Sequence, residues 1–199
     1  MQNFSFLGNI DQEEPDTLVL RHLRHLTHLG HFDVINWISA PRLETLCLAT
    51  ENLFAWCFIS FLRQSSPPLQ KLELRGHSPG DSFEDSGMTL IPTLVHLRGL
   101  NWDYMSVEDL LIFLAENPHH VPNLQTLQLD RIRGHSYTEM LTTLGDVLWV
   151  RRSMLKTVRL TTNPSHMPLP VDPTLFQQFL ADGIHIHIGV DDGPNILSQ

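Results

Sequence analysis

The sequence predicts an α/β solenoid whose strand–loop–helix units place parallel strands on a concave face and helices on a convex face. Three observations predict this fold. The phrase Pro-x-Leu-x-x-Leu-x-Leu recurs along most of the chain. Between its copies, the apolar residues change from the alternating spacing of strands to the spacing of amphipathic helices. The copies follow one another at intervals of about 20 to 31 residues, as short structural repeats do.

The predicted strands share alternating apolar positions, which place every second side chain on the same face. The copies are PRLETLCL at 41–48, PPLQKLEL at 67–74, PTLVHLRGL at 92–100 and PNLQTLQL at 122–129. MLKTVRL at 154–160 lacks the proline, and weaker versions stand at the two ends, HLRHLTHL at 22–29 and IHIHI at 184–188. Strands repeated in one direction with helices between them are expected to be parallel.

The predicted helices begin at recognisable capping residues. Ser136 and Glu139 form a capping box before an amphipathic stretch, and Asp172 precedes a proline at the first position of another. Ser106 and Asp33 are predicted to cap two further helices in the same way. Each unit is therefore predicted as strand, loop and helix.

The predicted organisation is one domain over residues 23–190, with a lead-in segment at 1–22 and a tail at 191–199. A doubly wound sheet is the competing fold, because it also alternates strands with helices. The solenoid is favoured, since a doubly wound sheet has no need of one repeated strand motif.

Composition narrows the possible functions. Thirteen Lys and Arg against 22 Asp and Glu give a net charge of -9, which disfavours nucleic-acid binding. Cys47 and Cys57 are predicted to be free thiols in a reducing compartment. No signal peptide is evident at the N-terminus, and the longest nearly apolar run, residues 53–62, is too short for a membrane span. We expect a cytoplasmic or nuclear protein without membrane contact.

The chain resembles the leucine-rich-repeat-like C-terminal regions of fungal F-box proteins over about residues 23–190. The resemblance rests on the PxLxxLxL strands, the helix SVEDLLIFLAENP at 106–118 and a late LKTVRL strand followed by a helix ending in ADGIHI. It implies an irregular leucine-rich-repeat solenoid that selects targets for a cullin-RING ubiquitin ligase. An F-box is not evident in the sequence, so the ligase subunits would be partners if an F-box is supplied elsewhere. A scaffold or adaptor without ligase coupling is the alternative.

The residues between the repeat leucines are predicted to face the concave surface and to contact a protein partner. They are His25, Thr27, Thr45, Cys47, Lys71, Glu73, His96, Arg98, Thr126, Gln128, Thr157 and Arg159, with Arg75 and Asp130 just beyond. Bases outnumber acids in this set. We therefore expect Lys71, Arg98 and Arg159 to bind an acidic or phosphorylated segment, against the alternative of a merely solvated face.

Enzymatic and metal-binding patterns are weak, and we predict a non-enzymatic protein without a cofactor or metal. GHSPG at 76–80 matches the G-x-S-x-G elbow, which makes a serine hydrolase using Ser78 a remote alternative. Pro79 has no N–H for an oxyanion hole, so a turn is the better interpretation. The histidines at 22, 25, 28 and 31 and the pair at 185 and 187 match no zinc signature.

The segment 53–62 is apolar around nearly its whole circumference, more than one buried helix face requires. A neighbouring helix, the N-terminal region or a partner is expected to cover Phe54, Trp56 or Phe58, and burial in the core is the favoured interpretation.

Overall fold

The structure of the protein is a computed structural model that describes residues 17–29, 32–50, 55–76, 87–134, 137–162, 174–191 and 193–198. Its strands are β1 (Leu18–Val19), β2 (His25–Leu29), β3 (Ile38–Ser39), β4 (Thr45–Thr50), β5 (Lys71–Gly76), β6 (His96–Leu100), β7 (Thr126–Ile132), β8 (Thr157–Thr162) and β9 (His185–Val190). Its α-helices are α1 (Ala55–Ser65), α2 (Tyr104–Glu116), α3 (Tyr137–Arg151) and α4 (Thr174–Ala181). Short 3-10 helices cover Phe32–Trp37, Met88–Leu90 and Ile196–Ser198.

Seven strands form one parallel sheet in the order β2-β4-β5-β6-β7-β8-β9, while β1 and β3 form a separate parallel pair. The strands of the large sheet follow chain order without a reversal, unlike the strands of a doubly wound sheet. The predicted α/β class and the predicted parallel pairing are confirmed.

The register aligns equivalent positions of the sequence repeats. One line of paired residues crosses the sheet through Leu26, Leu46, Leu72, Leu97, Leu127, Val158 and Ile186. These side chains share one core with the buried faces of the helices. The opposite face of the sheet carries the intervening polar residues, and we call it the open face.

The recurring prolines have a local structural role. In three units the chain turns before the strand, where the N–H groups of Leu43, Leu94 and Leu124 donate to the carbonyl three residues earlier. A proline occupies the second position of each turn, for which its fixed φ is suited. The fourth PxL segment, at Pro67, closes a tighter turn in which the Leu69 N–H donates to the Pro67 carbonyl. The proline therefore marks the entry to β4, β5, β6 and β7.

Some predicted helix starts differ from the structure. Helix α2 begins at Tyr104 rather than after Ser106, because the Asp103 carboxylate accepts hydrogen bonds from the Ser106 N–H at 2.9 Å and its hydroxyl at 2.8 Å. The segment after Asp33 is a 3-10 helix, since β3 begins directly after Trp37 and leaves no room for a longer helix. The predicted caps Ser136 and Asp172 lie outside the described residues.

Residues 55–62 of the apolar segment 53–62 lie in helix α1, and the Phe58, Phe61 and Leu62 side chains are buried in the core. Burial in the core is therefore confirmed for Phe58. Phe54 lies outside the described residues.

Arg151 is a fully buried cation at the end of α3, with 0% of the residue exposed. Its guanidinium donates to the backbone carbonyls of Leu114 at 2.9 Å, Asn117 at 2.8 Å, His120 at 2.8 Å and Val121 at 3.2 Å. Burial lowers the pKa of Arg151 to about 10, so it stays protonated at neutral pH. Its donors therefore supply hydrogen bonds to carbonyls at the end of α2 and in the following loop, where the regular helical donors are missing.

The C-terminal segment, predicted as a tail, packs beside β9. The Asn195 side chain accepts a hydrogen bond from the Ile188 N–H at 3.1 Å and donates one to the Ile186 carbonyl at 2.8 Å. Ile196 and Leu197 pack against the core. One edge of the sheet is therefore covered by the amide side chain of Asn195 in place of another strand.

Gly99 stands where the other repeats carry a core leucine, paired in register with Leu74 and Leu129. A Cβ at Gly99 would lie 3.0 Å from Leu129 Cδ2 and 3.0 Å from two ring carbons of Trp102. The buried indole of Trp102 therefore occupies the space that a leucine would fill.

We expect Gly99→Ala to lower the free energy of unfolding by about 2 kcal/mol, because the added methyl group overpacks the core. Gly145→Ala in α3 is the matched control. A Cβ there would meet no atom within 4 Å, so this variant should gain about 0.5–1 kcal/mol from helix propensity. Urea unfolding of both variants checks the opposite signs, and destabilisation by Gly145→Ala would contradict the packing argument.

Candidate binding surface

Two rows of side chains cross the open face from strand to strand. The first row is His25, Thr45, Lys71, His96, Thr126, Thr157 and His185. The second row is Thr27, Cys47, Glu73, Arg98, Gln128, Arg159 and His187. All twelve residues predicted from the sequence to contact a partner lie in these rows.

The rows differ in accessibility. Every residue of the first row is exposed or half-exposed. In the second row, Cys47 and Glu73 are only 8% and 6% exposed, so their predicted accessibility is wrong. Glu73 is buried because the Arg75 and Arg98 guanidiniums bind its carboxylate and cover it. Cys47 is buried because its short side chain lies next to Glu73 in register.

Glu73 begins a network of ion pairs across the open face. Its Oε1 lies 2.7 Å from Arg75 Nε on the same strand and 3.6 Å from Arg98 Nη1 on β6. Arg98 also binds Asp130 on β7, with 2.8 Å between Arg98 Nη2 and Asp130 Oδ2. Opposite charges on neighbouring strands thus stabilise the pairing of β5, β6 and β7.

Asp130 is the central carboxylate of the network and is 3% exposed. Its Oδ1 lies 3.0 Å from Arg159 Nε, and its Oδ2 accepts a hydrogen bond of 2.8 Å from the Gln128 amide. The strand is irregular at this point, where Arg131 has a φ of 58° and the register with β8 shifts. Asp130 lies on the open face two residues after Gln128, and the bulge after it returns Ile132 to the core.

The network continues to β9. Arg159 Nη2 lies 4.0 Å from Asp191 Oδ1, and Arg131 Nε lies 2.5 Å from Asp191 Oδ2. The network thus joins four arginines to three carboxylates, which largely neutralise one another.

The ion pairs bear directly on the three cations expected to bind a partner. Arg98 and Arg159 are already bound to Asp130, which takes up much of their charge and hydrogen-bonding capacity. Lys71 is exposed and has no carboxylate within 4.0 Å among the described residues. Of the three, Lys71 is the cation most available to an acidic ligand.

Cys47 is not activated for nucleophilic chemistry. Burial raises the pKa of the Cys47 thiol above its ordinary value of 9.0, and the Glu73 carboxylate adds to the effect. Cys47 is therefore protonated at neutral pH and a poor nucleophile. Cys47 and Cys57 are buried thiols and do not form a disulfide with each other, as predicted from the sequence.

His187 lies at the β9 end of the second row, and its Nε2 is buried without a hydrogen-bond partner among the described residues. Burial lowers the pKa of His187 below its ordinary value of 6.5, and the Arg159 guanidinium adds to this while Asp130 opposes it. The folded protein therefore binds this proton less tightly than the unfolded chain does.

We expect this histidine to reduce stability in mild acid. The stability associated with the neutral imidazole is present above about pH 6.5 and is lost as the pH falls from 6.5 through the lowered folded-state pKa. Urea midpoints measured between about pH 7.5 and 5 should therefore fall less for His187→Gln than for the unmodified protein. An equal decline in both proteins would show that His187 is not responsible.

The described residues give no support to a hydrolase, metal or membrane-spanning site. Ser78, the remote hydrolase candidate, and His31 lie outside the described residues. Within the described ranges, no group of three or more His, Cys, Asp or Glu side chains is arranged to hold a metal ion. No helix in those ranges has the length and hydropathy needed to cross a bilayer.

Comparisons of the chain with protein-family models, with curated proteins and with solved structures found no match.

Proposed function

We propose that the protein is a protein-binding module, an irregular leucine-rich-repeat-like solenoid that contacts its partner through the open face. The observation that carries the proposal is the first row, seven accessible polar residues held in register on seven adjacent strands. A rigid sheet presents such side chains at fixed spacing, and repeat proteins use extended surfaces of this kind for binding. The chain-ordered strands and the single layer of core leucines support the solenoid interpretation.

The sharper version of the proposal follows from the resemblance to F-box proteins. In it, the open face selects substrates for a cullin-RING ubiquitin ligase, and the F-box is supplied elsewhere. The alternative is a scaffold or adaptor without ligase coupling. Both versions use the same surface, so they differ only in whether ligase subunits accompany the bound partner.

Affinity capture with two matched double variants tests the proposal. Thr126→Tyr with Thr157→Tyr blocks the first row with residues that strands accept well. Met105→Tyr with Leu175→Tyr makes the same change at exposed positions on the helices. Partners identified by mass spectrometry should be lost from the first variant and retained by the second. Equal capture by both variants would contradict binding through the open face.

The same capture experiment separates the two versions. The ligase version predicts that cullin-ligase subunits are recovered with the unmodified protein and also with the open-face variant, because an F-box outside the open face would recruit them. Partner capture without any ligase subunit would favour the scaffold.

A further inference from the structure

The chemistry of the first row narrows the class of partner. The row contains one lysine, three histidines and three threonines, and it has no carboxylate. Within the described part of the chain, its lysine and histidine side chains form no ion pair. This composition is unusual on a chain whose net charge is -9. The row offers hydrogen-bond donors and positive charge that no described side chain neutralises.

The second row does not neutralise the positive charge of the first row. Its carboxylate Glu73 and the adjacent Asp130 are buried and bound by arginines. The whole network contains four arginines and three carboxylates, so it leaves an excess of one positive charge. An approaching ligand meets a first row that attracts anions beside a nearly neutral, rigid second row.

The geometry suits an extended segment that crosses the strands. Adjacent strands lie about 4.8 Å apart, so seven strands give a row of about 29 Å, which about nine extended residues would span. Lys71 and His96 are neighbours at the centre of the row, and His25 and His185 are its ends. The short threonines between them leave space for the side chains of a bound segment.

We propose that the first row binds an extended protein segment rich in Asp and Glu, with Lys71 and His96 as the central contacts. This inference rests on the proposed function and names its class of partner. Carboxylates are favoured over phosphates, because bidentate phosphate binding uses free arginines and those of the open face are paired.

The probe for this proposal is a fluorescein-labelled octapeptide of alternating glutamate and serine, with a glutamine-for-glutamate peptide as its neutral control. Fluorescence anisotropy with the full chain should detect the glutamate peptide and not the glutamine peptide. Lys71→Glu should weaken binding about tenfold, through loss of one attraction and gain of one repulsion. Arg152→Glu makes the same charge change at an exposed position on the helix side and should alter affinity less than about twofold.

Several outcomes would overturn the inference. They are equal binding of the glutamine peptide, equal loss for Lys71→Glu and Arg152→Glu, and binding of a phosphoserine peptide without binding of the glutamate peptide. Circular dichroism of each variant establishes that it is folded. If the tyrosine variant of the open face loses its partners while the glutamate peptide does not bind, the proposed function stands and this inference fails.

Discussion

Replacing Arg151 with methionine should lower the free energy of unfolding by about 4 kcal/mol, which corresponds to a fall in Tm of about 12 °C. Methionine fills part of the volume but removes the guanidinium donor from the carbonyls of Leu114, Asn117, His120 and Val121. Asn117 and Val121 keep the backbone N–H donors of His120 and Leu124, so the largest loss falls on Leu114 and His120. Buried carbonyls that lose a charged donor are costly, and four of them are affected together. Differential scanning calorimetry and urea unfolding measure the effect.

Two further variants separate hydrogen bonding from charge and from position. Arg151→Lys keeps the charge but not the planar set of donors, so we expect a smaller loss of about 2 kcal/mol. Arg152→Met changes the adjacent exposed arginine, which stacks on Trp149, and should cost less than about 0.5 kcal/mol. Equal losses for Arg151→Met and Arg152→Met would refute the buried hydrogen-bond network as the cause.

Replacing Asp130 with asparagine should cost about 3 kcal/mol, because a nearly isosteric amide removes the buried negative charge that Arg98 and Arg159 share. Both arginines are about one-third exposed, so water compensates part of the loss. Asp109→Asn, at an exposed position of α2, is the control and should be neutral within about 0.5 kcal/mol. Urea unfolding at neutral pH checks the difference.

The same substitution should raise the affinity for the glutamate peptide although it lowers the stability of the fold. Without the Asp130 carboxylate, the guanidiniums of Arg98 and Arg159 lose a shared counterion and the open face becomes more positive. The glutamate peptide should therefore bind several-fold more tightly to Asp130→Asn than to the unmodified protein. Weaker binding by a folded variant would mean that Asp130 supports the peptide site rather than competing with it.

Much of the sheet could be predicted from the sequence because its signal is local. The repeated leucines mark one face of every strand, and the prolines mark the turns before several of them, so parallel pairing followed from the pattern. The start of α2 was predicted too late, since Ser106 and Asp103 are both acceptable caps and only the backbone geometry selects Asp103.

The electrostatics of the open face could be predicted only in part. The strand pattern identified the residues on this face, but counting Arg98 and Arg159 as available cations ignored the acid that lies between them. That acid, Asp130, lies two residues beyond Gln128 on the same face, and Gln128 pairs in register with both Arg98 and Arg159. Its ion pairs with the two arginines depend on this register between strands, which leucine spacing within one strand does not give. Aligning equivalent positions of adjacent repeats would have revealed the Glu73–Arg98 neighbour pair. Arg151 was missed because its partners are backbone carbonyls, which carry no sequence signal.

Asn195 has a consequence for how copies of the protein can associate. Fibrils built by adding strands need two free sheet edges on every subunit. At β9 an incoming strand would first have to displace the Asn195 amide from Ile186 and Ile188. Adding a strand on that side therefore costs the two hydrogen bonds of the Asn195 amide, which disfavours a continuous sheet running from one molecule to the next.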